Sequence, residues 1–204
     1  MHTLMVLHER SPRLITTLLF VLLGYSLGSI PIAYLSAKAR GTDIFQVGTG
    51  NPGAANVFRE VGKGVGSLVL LGDALKGALP VAVSVLFTES YWVGWGVGLA
   101  ALLGHWFPLW LKFRGGAGLA TSIGIGVALL PVPTAIVLPP SLALWYLWRN
   151  TAYVASIGYL GFIILAVVLR EPPLLIFMIA VLPSLALVRQ ELMAKPSTTS
   201  EQQK

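Results

Sequence analysis

Seven apolar runs follow one another along this chain, at about Leu14–Ala37, Val65–Phe87, Tyr91–Leu111, Leu119–Leu130, Pro133–Trp148, Tyr153–Leu169 and Pro172–Val188. A straight helical crossing of a bilayer takes roughly 20 apolar residues, with about 17 near the lower limit. Only 11% of the 204 residues are charged, 55% are hydrophobic, and the mean hydropathy is +0.79. An average soluble domain carries roughly 25% charged residues, and a soluble protein of this size has no interior large enough to hide so much apolar surface. The chain therefore reads as an all-α integral membrane protein of about seven transmembrane helices. Outer-membrane strands alternate over about ten residues, so runs of this length exclude a barrel. The fourth and fifth runs are short and lie on either side of Pro131 and Pro133; they form either two spans or one broken, re-entrant pair. Leu14–Ala37 is too long for the apolar core of a signal peptide and no small-x-small site ends it, so it is kept as the first span.

The formal charge of +6 reflects membrane orientation rather than nucleic-acid binding, because the cations fall in short loops between apolar runs. Connections after the first, third and fifth spans carry Lys38, Arg40, Arg59, Lys63, Lys112, Arg114 and Arg149, and the tail carries Arg189, Lys195 and Lys204. The other side holds Arg10, Arg13 and Arg170, with Glu9, Glu89 and Glu171 nearby. That bias puts the C-terminus in the cytoplasm and the N-terminus outside. Residues 1–193 read as one polytopic domain and 194–204 as a disordered polar tail.

Three polar constellations fall on the cytoplasmic side. The first runs from Gly28-Ser29-Ile30-Pro31 through Asp43 to the island Gly48–Gly66, G-T-G-N-P-G-A-A-N-V-F-R-E-V-G-K-G-V-G. The second is Gly104-His105-Trp106-Phe107-Pro108, followed by Lys112-Phe113-Arg114-Gly115-Gly116-Ala117-Gly118-Leu119-Ala120-Thr121. The third is Arg149-Asn150, Tyr153 and Ser156. Glycine and asparagine ordinarily make turns, because both tolerate positive φ. A mere connection, however, needs neither two cations nor two asparagines. Glycine loops that open a helix also present free N–H groups and a favourable dipole to an anion. Segments distant in sequence that share one face predict a composite phosphate site, and hence a phosphorylated substrate handled at a bilayer surface.

Asp73 and Lys76 lie inside the second run at i, i+3, on one helix face. Charges within a span cost several kcal/mol each, so a structural, mutually neutralising pair is expected. His105 has no aspartate five positions later (Trp110 stands there), which removes the His–x4–Asp charge relay of many acyltransferases. Absence of cysteine excludes disulfides and thiolate chemistry. No G-x-S-x-G, P-loop, H-E-x-x-H or paired-carboxylate motif occurs; neither metal nor cofactor is expected.

These residues, in this order, resemble the bacterial acyl-phosphate-dependent glycerol-3-phosphate acyltransferases. The likeness runs from Gly28-Ser29-Ile30-Pro31 through Asp43, Gly48–Asn56 and Arg59 to Gly62-Lys63, Asp73 and Lys76-Gly77. It resumes at Gly104-His105, Pro108 and Gly115-Gly116, ends at Ala120-Thr121, and so covers about two-thirds of the chain. The resemblance implies a seven-helix enzyme of the bacterial inner membrane, its active site facing the cytoplasm. Such an enzyme moves an acyl group from acyl phosphate to the 1-hydroxyl of sn-glycerol 3-phosphate, giving lysophosphatidic acid for phospholipid synthesis. It also implies roles: Thr49, Asn51 and Arg59 as the catalytic set, with Thr49 and Arg59 holding phosphate. Ser29, Gly50, Asn56, Lys63, His105, Lys112, Arg114, Gly115, Gly116, Thr121 and Ser156 are expected around the substrates.

The chain departs from the family pattern in four places. The second lysine of K-G-G-K-G is Ala117, and the arginine two positions after the aspartate is Phe45. R-x-x-S-x-x-S becomes Asn150-x-x-Tyr153-x-x-Ser156, with Arg149 displaced by one. The C-terminal H-x-x-N pair is missing from Leu187–Leu192. A phosphate-contacting lysine is worth about 1.5–3 kcal/mol, so a weak or inactive paralogue that binds lipid or phosphate, or scaffolds another membrane protein, is the second reading. A transporter built on broken helices is a third.

The cation bias predicts that Asn51 is cytoplasmic and the N-terminus outside. Single cysteines at Thr3 and Asn51, probed in intact cells with a membrane-impermeant thiol reagent, should label at position 3 only. Labelling at 51 but not at 3 reverses the topology.

Overall fold

The computed structural model describes the backbone of residues 2–193 and the side chains of residues 14–193. Its helices are α1 (His2–Gly28), α2 (Ile32–Lys38), α3 (Ala54–Glu60), α4 (Lys63–Thr88), α5 (Tyr91–Trp106), α6 (Leu119–Leu129), α7 (Pro131–Trp148), α8 (Thr151–Val168) and α9 (Pro173–Met193), with a 3-10 turn at Leu109–Leu111. There is no strand among the described residues. The expected tail, with Lys195 and Lys204, lies outside them.

Each apolar run contains a helix, but prolines move the boundaries. The first run is broken between Gly28 and Ile32, because Pro31 has no N–H to donate and disfavours helical backbone in the residue before it. The third run leaves the α-helix at Trp106 rather than Leu111, just before Pro108. Pro131 opens α7 at the position where a missing N–H is harmless, so the fourth and fifth runs are separate helices. Among the described residues four segments are long and apolar enough to cross a membrane: Leu14–Lys38, Lys63–Thr88, Thr151–Val168 and Pro173–Met193. The 11 residues of α6 rise only about 16 Å, roughly half of a hydrocarbon core.

Polarity is distributed in the opposite sense to a soluble protein. Leu18, Leu19, Leu68, Leu86, Phe87, Leu160 and Val168 are exposed, whereas Ser29, Asp73, Lys76, His105 and Thr121 are buried. Leucine and phenylalanine facing outward along several helices is what a lipid-facing surface requires. The molecule is an integral membrane protein.

Glycines set how closely the central helices approach. A Cβ built on Gly28 would sit 2.0 Å from the Ala101 carbonyl oxygen, and one on Gly104 2.3 Å from that of Tyr25; α1 and α5 thus touch backbone to backbone. Between α4 and α6 the same holds at Gly77, 2.3 Å from the Thr121 oxygen, and at Gly124, 1.9 Å from that of Ala74. Small residues at membrane-helix interfaces allow this approach. The contacts bring the break after α1, the middle of α4, the end of α5 and the start of α6 to one level.

A methyl group at Gly124 has no room, while at Gly96 nothing lies within 4 Å. Gly124→Ala should therefore lose about 1–3 kcal/mol, read as a lower melting temperature in detergent. Gly96→Ala should be neutral or slightly stabilising. Equal melting of the two variants would refute the close packing.

Candidate active site

The first polar island is not a simple loop, as its glycine and asparagine content suggested: α3 occupies its centre and carries Asn56 and Arg59. Gly48 adopts φ 54°, and a Cβ there would strike Asn56 Oδ1 at 2.3 Å. Asn56 Oδ1 accepts from the Thr49 N–H at 3.1 Å, and Nδ2 donates to the Val47 and Ile44 carbonyls at 3.1 and 3.4 Å. The amide replaces the backbone pairing that an irregular segment lacks. Asn56 is largely buried and its amide is bonded to three backbone groups, so it shapes the island and borders the polar cleft at its edge. Asn51 is different. Its N–H donates to Thr49 Oγ1 at 3.4 Å, and its Oδ1 accepts from the Ala117 N–H at 3.2 Å. That second bond joins the two glycine-rich segments and leaves Asn51 Nδ2 as a donor.

The second segment turns back sharply. Lys112 and Phe113 both take positive φ, 51° and 63°, and the Gly115 N–H donates to the Trp106 carbonyl at 3.1 Å. Trp106 Nε1 in turn donates to the Ala117 carbonyl at 2.6 Å. Side chains at 115 and 116 have no space: a Cβ on Gly115 would lie 1.9 Å from the His105 oxygen, and one on Gly116 2.7 Å from both His105 Nε2 and the Pro52 oxygen. The N–H groups of Gly116 and Gly118 donate to no protein group among the described residues, so this loop ahead of α6 offers backbone donors.

Below the two segments lies a buried charge cluster. Lys76 Nζ stands 2.8 Å from Asp73 Oδ1 and donates to the Ile30 carbonyl at 3.0 Å, an oxygen that the Pro31 break leaves outside the helical ladder. His105 Nδ1 is 3.9 Å from the same Asp73 oxygen. Pairing offsets the cost of burying each charge, and the ammonium ties α4 to the broken first helix. Ser29 Oγ and Thr121 Oγ1 are buried beside these elements without a hydrogen-bond partner among the described residues.

Two contiguous clefts open at this level. A polar vestibule of about 410 Å³ is lined by Thr49, Asn51, Ala55, Asn56, Arg59, Thr151, Gln190 and Glu191. A larger, mainly apolar cleft of about 930 Å³ has Asn51, Asp73, His105, Ala117 and Gly118 at its polar end. Leu70, Ile123, Leu138, Leu142, Trp145 and Val154 continue it. Both share Asn51, Ala55, Thr151 and Gln190. Arg59 is exposed and makes no hydrogen bond or ion pair with the described residues, so its guanidinium is unspent.

Several expected substrate residues stand elsewhere. Ser156 is exposed on α8 and donates to the Ala152 carbonyl; a serine in mid-helix satisfies itself on the preceding turn. Asn150, which replaces the motif arginine, caps α8 by accepting from the Tyr153 N–H at 3.0 Å. Lys63 lies over the Tyr146 ring at 5.6 Å and Arg114 over Phe45 at 4.7 Å. Lys112 is exposed. None of Ser156, Lys63, Lys112 or Arg114 lines either cleft.

The model of the glycerol-3-phosphate acyltransferase family matches residues 18–193. The glycerol-3-phosphate acyltransferase of Rubrobacter xylanophilus is 43% identical over 150 residues, 74% of this chain and 72% of that protein. That of Geotalea daltonii is 36% identical over 166 residues, 81% of this chain and 85% of the relative. The chain belongs to the glycerol-3-phosphate acyltransferase family. Crystal structures of PlsY, an integral membrane glycerol 3-phosphate acyltransferase, superpose with TM-scores of 0.77 for the glycerol 3-phosphate form and 0.75 for the lysophosphatidic acid form. Their sequence identities are 33% and 32%, and each comparison covers 86% of this chain and 88% of the other.

Two residues of this family member escaped sequence reasoning. Arg189 reads as a tail cation, yet it lies inside α9 and donates to the Gly116 and Trp106 carbonyls. Gln190 lines both clefts. Both sit in the helix end where the motif pair was missing, so pattern matching registered only an absence.

Lys76→Met should strand the Asp73 carboxylate in the interior and destabilise the protein by about 3–5 kcal/mol. Thermal unfolding in detergent checks this, with Lys38→Met on the exposed end of α2 expected to be near neutral. A silent Lys76→Met would remove the ion pair from any structural role.

Proposed function

We propose that this chain transfers an acyl group from acyl phosphate to the 1-hydroxyl of sn-glycerol 3-phosphate, releasing lysophosphatidic acid and inorganic phosphate. The observation that carries the reading is the junction at Asn51, where a polar vestibule with an unspent guanidinium meets a long apolar cleft. One substrate of this reaction is small, anionic and water-soluble; the other has a phosphate head and an acyl tail. The two clefts suit that pair. The relatives' shared name supports the acceptor, and the glycerol 3-phosphate and lysophosphatidic acid forms of PlsY support the acceptor and product. Acyl phosphate as donor rests on the motif resemblance.

In this reading the hydroxyl oxygen of glycerol 3-phosphate attacks the acyl carbonyl carbon. The new C–O ester bond forms as the C–O bond to phosphate breaks, and the hydroxyl proton passes to a phosphate oxygen. A mixed anhydride is already activated, so positioning and anion stabilisation suffice. Arg59 and Thr49 would hold the phosphate of glycerol 3-phosphate in the vestibule. Asn51 Nδ2 and the Gly118 N–H would hold the donor's phosphate at the polar end of the apolar cleft. The apolar walls from Leu70 to Val154 would hold the acyl chain. In this reading the chain has about seven spans, and the loop-cation bias supports a site facing the cytoplasm from the bacterial inner membrane.

A paralogue without turnover is the competing reading, favoured by Ala117 and by the absent H-x-x-N. Purified protein, long-chain acyl phosphate and labelled glycerol 3-phosphate separate the two: lysophosphatidic acid should form, and its absence from correctly folded protein would end the enzymatic reading. Arg59→Ala should reduce kcat/KM by about ten- to a hundredfold, the equivalent of one charge-assisted contact of about 1.5–3 kcal/mol. Arg59→Lys keeps the charge but loses the bidentate fork, so it should fall between wild type and alanine; Thr49→Ala should be milder. Unchanged turnover in Arg59→Ala would remove Arg59 from the site.

A further inference from the structure

Four consecutive small residues, Gly115 to Gly118, line the polar end of the cleft or lie beside it, and all four are buried. They have almost no side chains with which to fix themselves, and glycine gives the backbone its greatest freedom. Their conformation is therefore set from outside. The peptide unit between Gly116 and Ala117 is held at both ends. Its N–H donates to Asn51 Oδ1 at 3.2 Å. Its carbonyl accepts from Arg189 Nε at 3.1 Å.

Arg189 reaches this point from the C-terminal helix and is itself fixed. Its Nη2 donates to the Trp106 carbonyl at 2.9 Å, and the same oxygen accepts the Gly115 N–H. The guanidinium carbon lies 4.9 Å from the centre of the Phe107 ring and 5.5 Å from that of Trp106. One planar group thus joins α9, the end of α5 and the glycine loop through two directed bonds and two aromatic contacts. Only a guanidinium has donors spread widely enough for two carbonyls together with flat faces for the rings.

We infer that Arg189 is a positioning residue: by holding the Gly116 carbonyl it fixes the direction of the Ala117 N–H, and with it the Asn51 side chain where the two clefts meet. A trans peptide is planar, so fixing its oxygen fixes its N–H on the opposite side. The guanidinium thereby acts on the site from behind, without lining either cleft. Because Ala117 brings no cation, the loop depends on its backbone groups, and their direction is what Arg189 controls. The consequence for substrate rests on the acyltransferase reading above; the consequence for the loop does not.

Two measurements on the full-length protein in detergent test it. In hydrogen–deuterium exchange, Arg189→Ala should speed exchange at least tenfold in peptides covering residues 115–118, with α4 unchanged. In the acyltransferase assay the same variant should raise KM for acyl phosphate at least tenfold while kcat falls less than threefold. Arg189→Lys should recover part of that loss. Because Arg189 and Asn51 act on one peptide unit, Arg189→Ala in an Asn51→Ala background should raise KM less than twofold further. Unchanged loop exchange overturns the inference whether or not the protein is an enzyme. So does a lowered melting temperature with KM within twofold of wild type, which would make Arg189 a structural anchor only. Normal exchange behaviour with no turnover in wild type would count against the acyltransferase reading and leave the loop inference standing.

Discussion

Backbone-to-backbone contact between helices is the constraint on which the other features depend. At Gly28, Gly104, Gly77 and Gly124 no side chain intervenes between neighbours. Van der Waals packing is the main attraction available to helices surrounded by lipid. The closeness also fixes heights. With α1 against α5 and α4 against α6, Ser29, Asp73, His105 and Thr121 come together as one buried polar layer, and the two glycine-rich segments emerge directly above it. If these helices were a side chain's width further apart, Lys76 Nζ would lose the Ile30 carbonyl and Asn51 would lose the Ala117 N–H.

Irregular backbone at this depth must find partners within the protein. The structure meets each irregular segment with polar side chains. Lys76 meets the carbonyl left by the break at Pro31; Asn56 meets three backbone groups of the segment from Ile44 to Thr49; Arg189 meets two carbonyls around the second loop. The ring nitrogen of Trp106 supplies a fourth connection, to Ala117. These residues separate naturally from Arg59 and Thr49, which line the vestibule and satisfy little or nothing in the protein. The distinction between groups spent on the fold and groups left unspent is the best physical criterion for which residues meet substrate.

Much of this was legible in the sequence, for a simple reason: hydropathy is a property of each residue alone. The apolar runs gave the helices, and the glycine, asparagine and cation content marked the two segments that meet at the clefts. What could not be read were relationships. Nothing local distinguishes Asn51, whose amide spans 66 positions to Ala117, from Asn56, whose amide is consumed within 12. Helix α3 was hidden because glycine and proline surround a stretch of seven residues too short for periodicity to show. Arg189 passed as a topology signal because a cation at a helix end ordinarily is one. The break at Pro31, by contrast, was readable from proline chemistry and was passed over because the apolar run continued through it.

The departures from the family pattern change character once placed in three dimensions. Asn150 occupies the motif arginine's place and caps α8, so that position has exchanged a charge for a helix start. Phe45 lies beneath the Arg114 guanidinium, where the replaced arginine would have brought a second positive charge close to the first. Ala117 is buried against Asn51 and Trp106 through its backbone alone, and a long cationic side chain there would have to find its own way into the cleft. Phe45 and Ala117 leave less positive charge around the loops, Arg149 keeps its charge beside Asn150 over the Phe58 and Tyr146 rings, and the backbone geometry is supported from elsewhere. Under the proposed acyltransferase reading, anion stabilisation would fall more heavily on oriented N–H dipoles than on mobile side-chain charges. Dipoles of that kind are effective only when held in place before a ligand arrives, and the half-buried guanidinium of Arg189 sits where it can hold them.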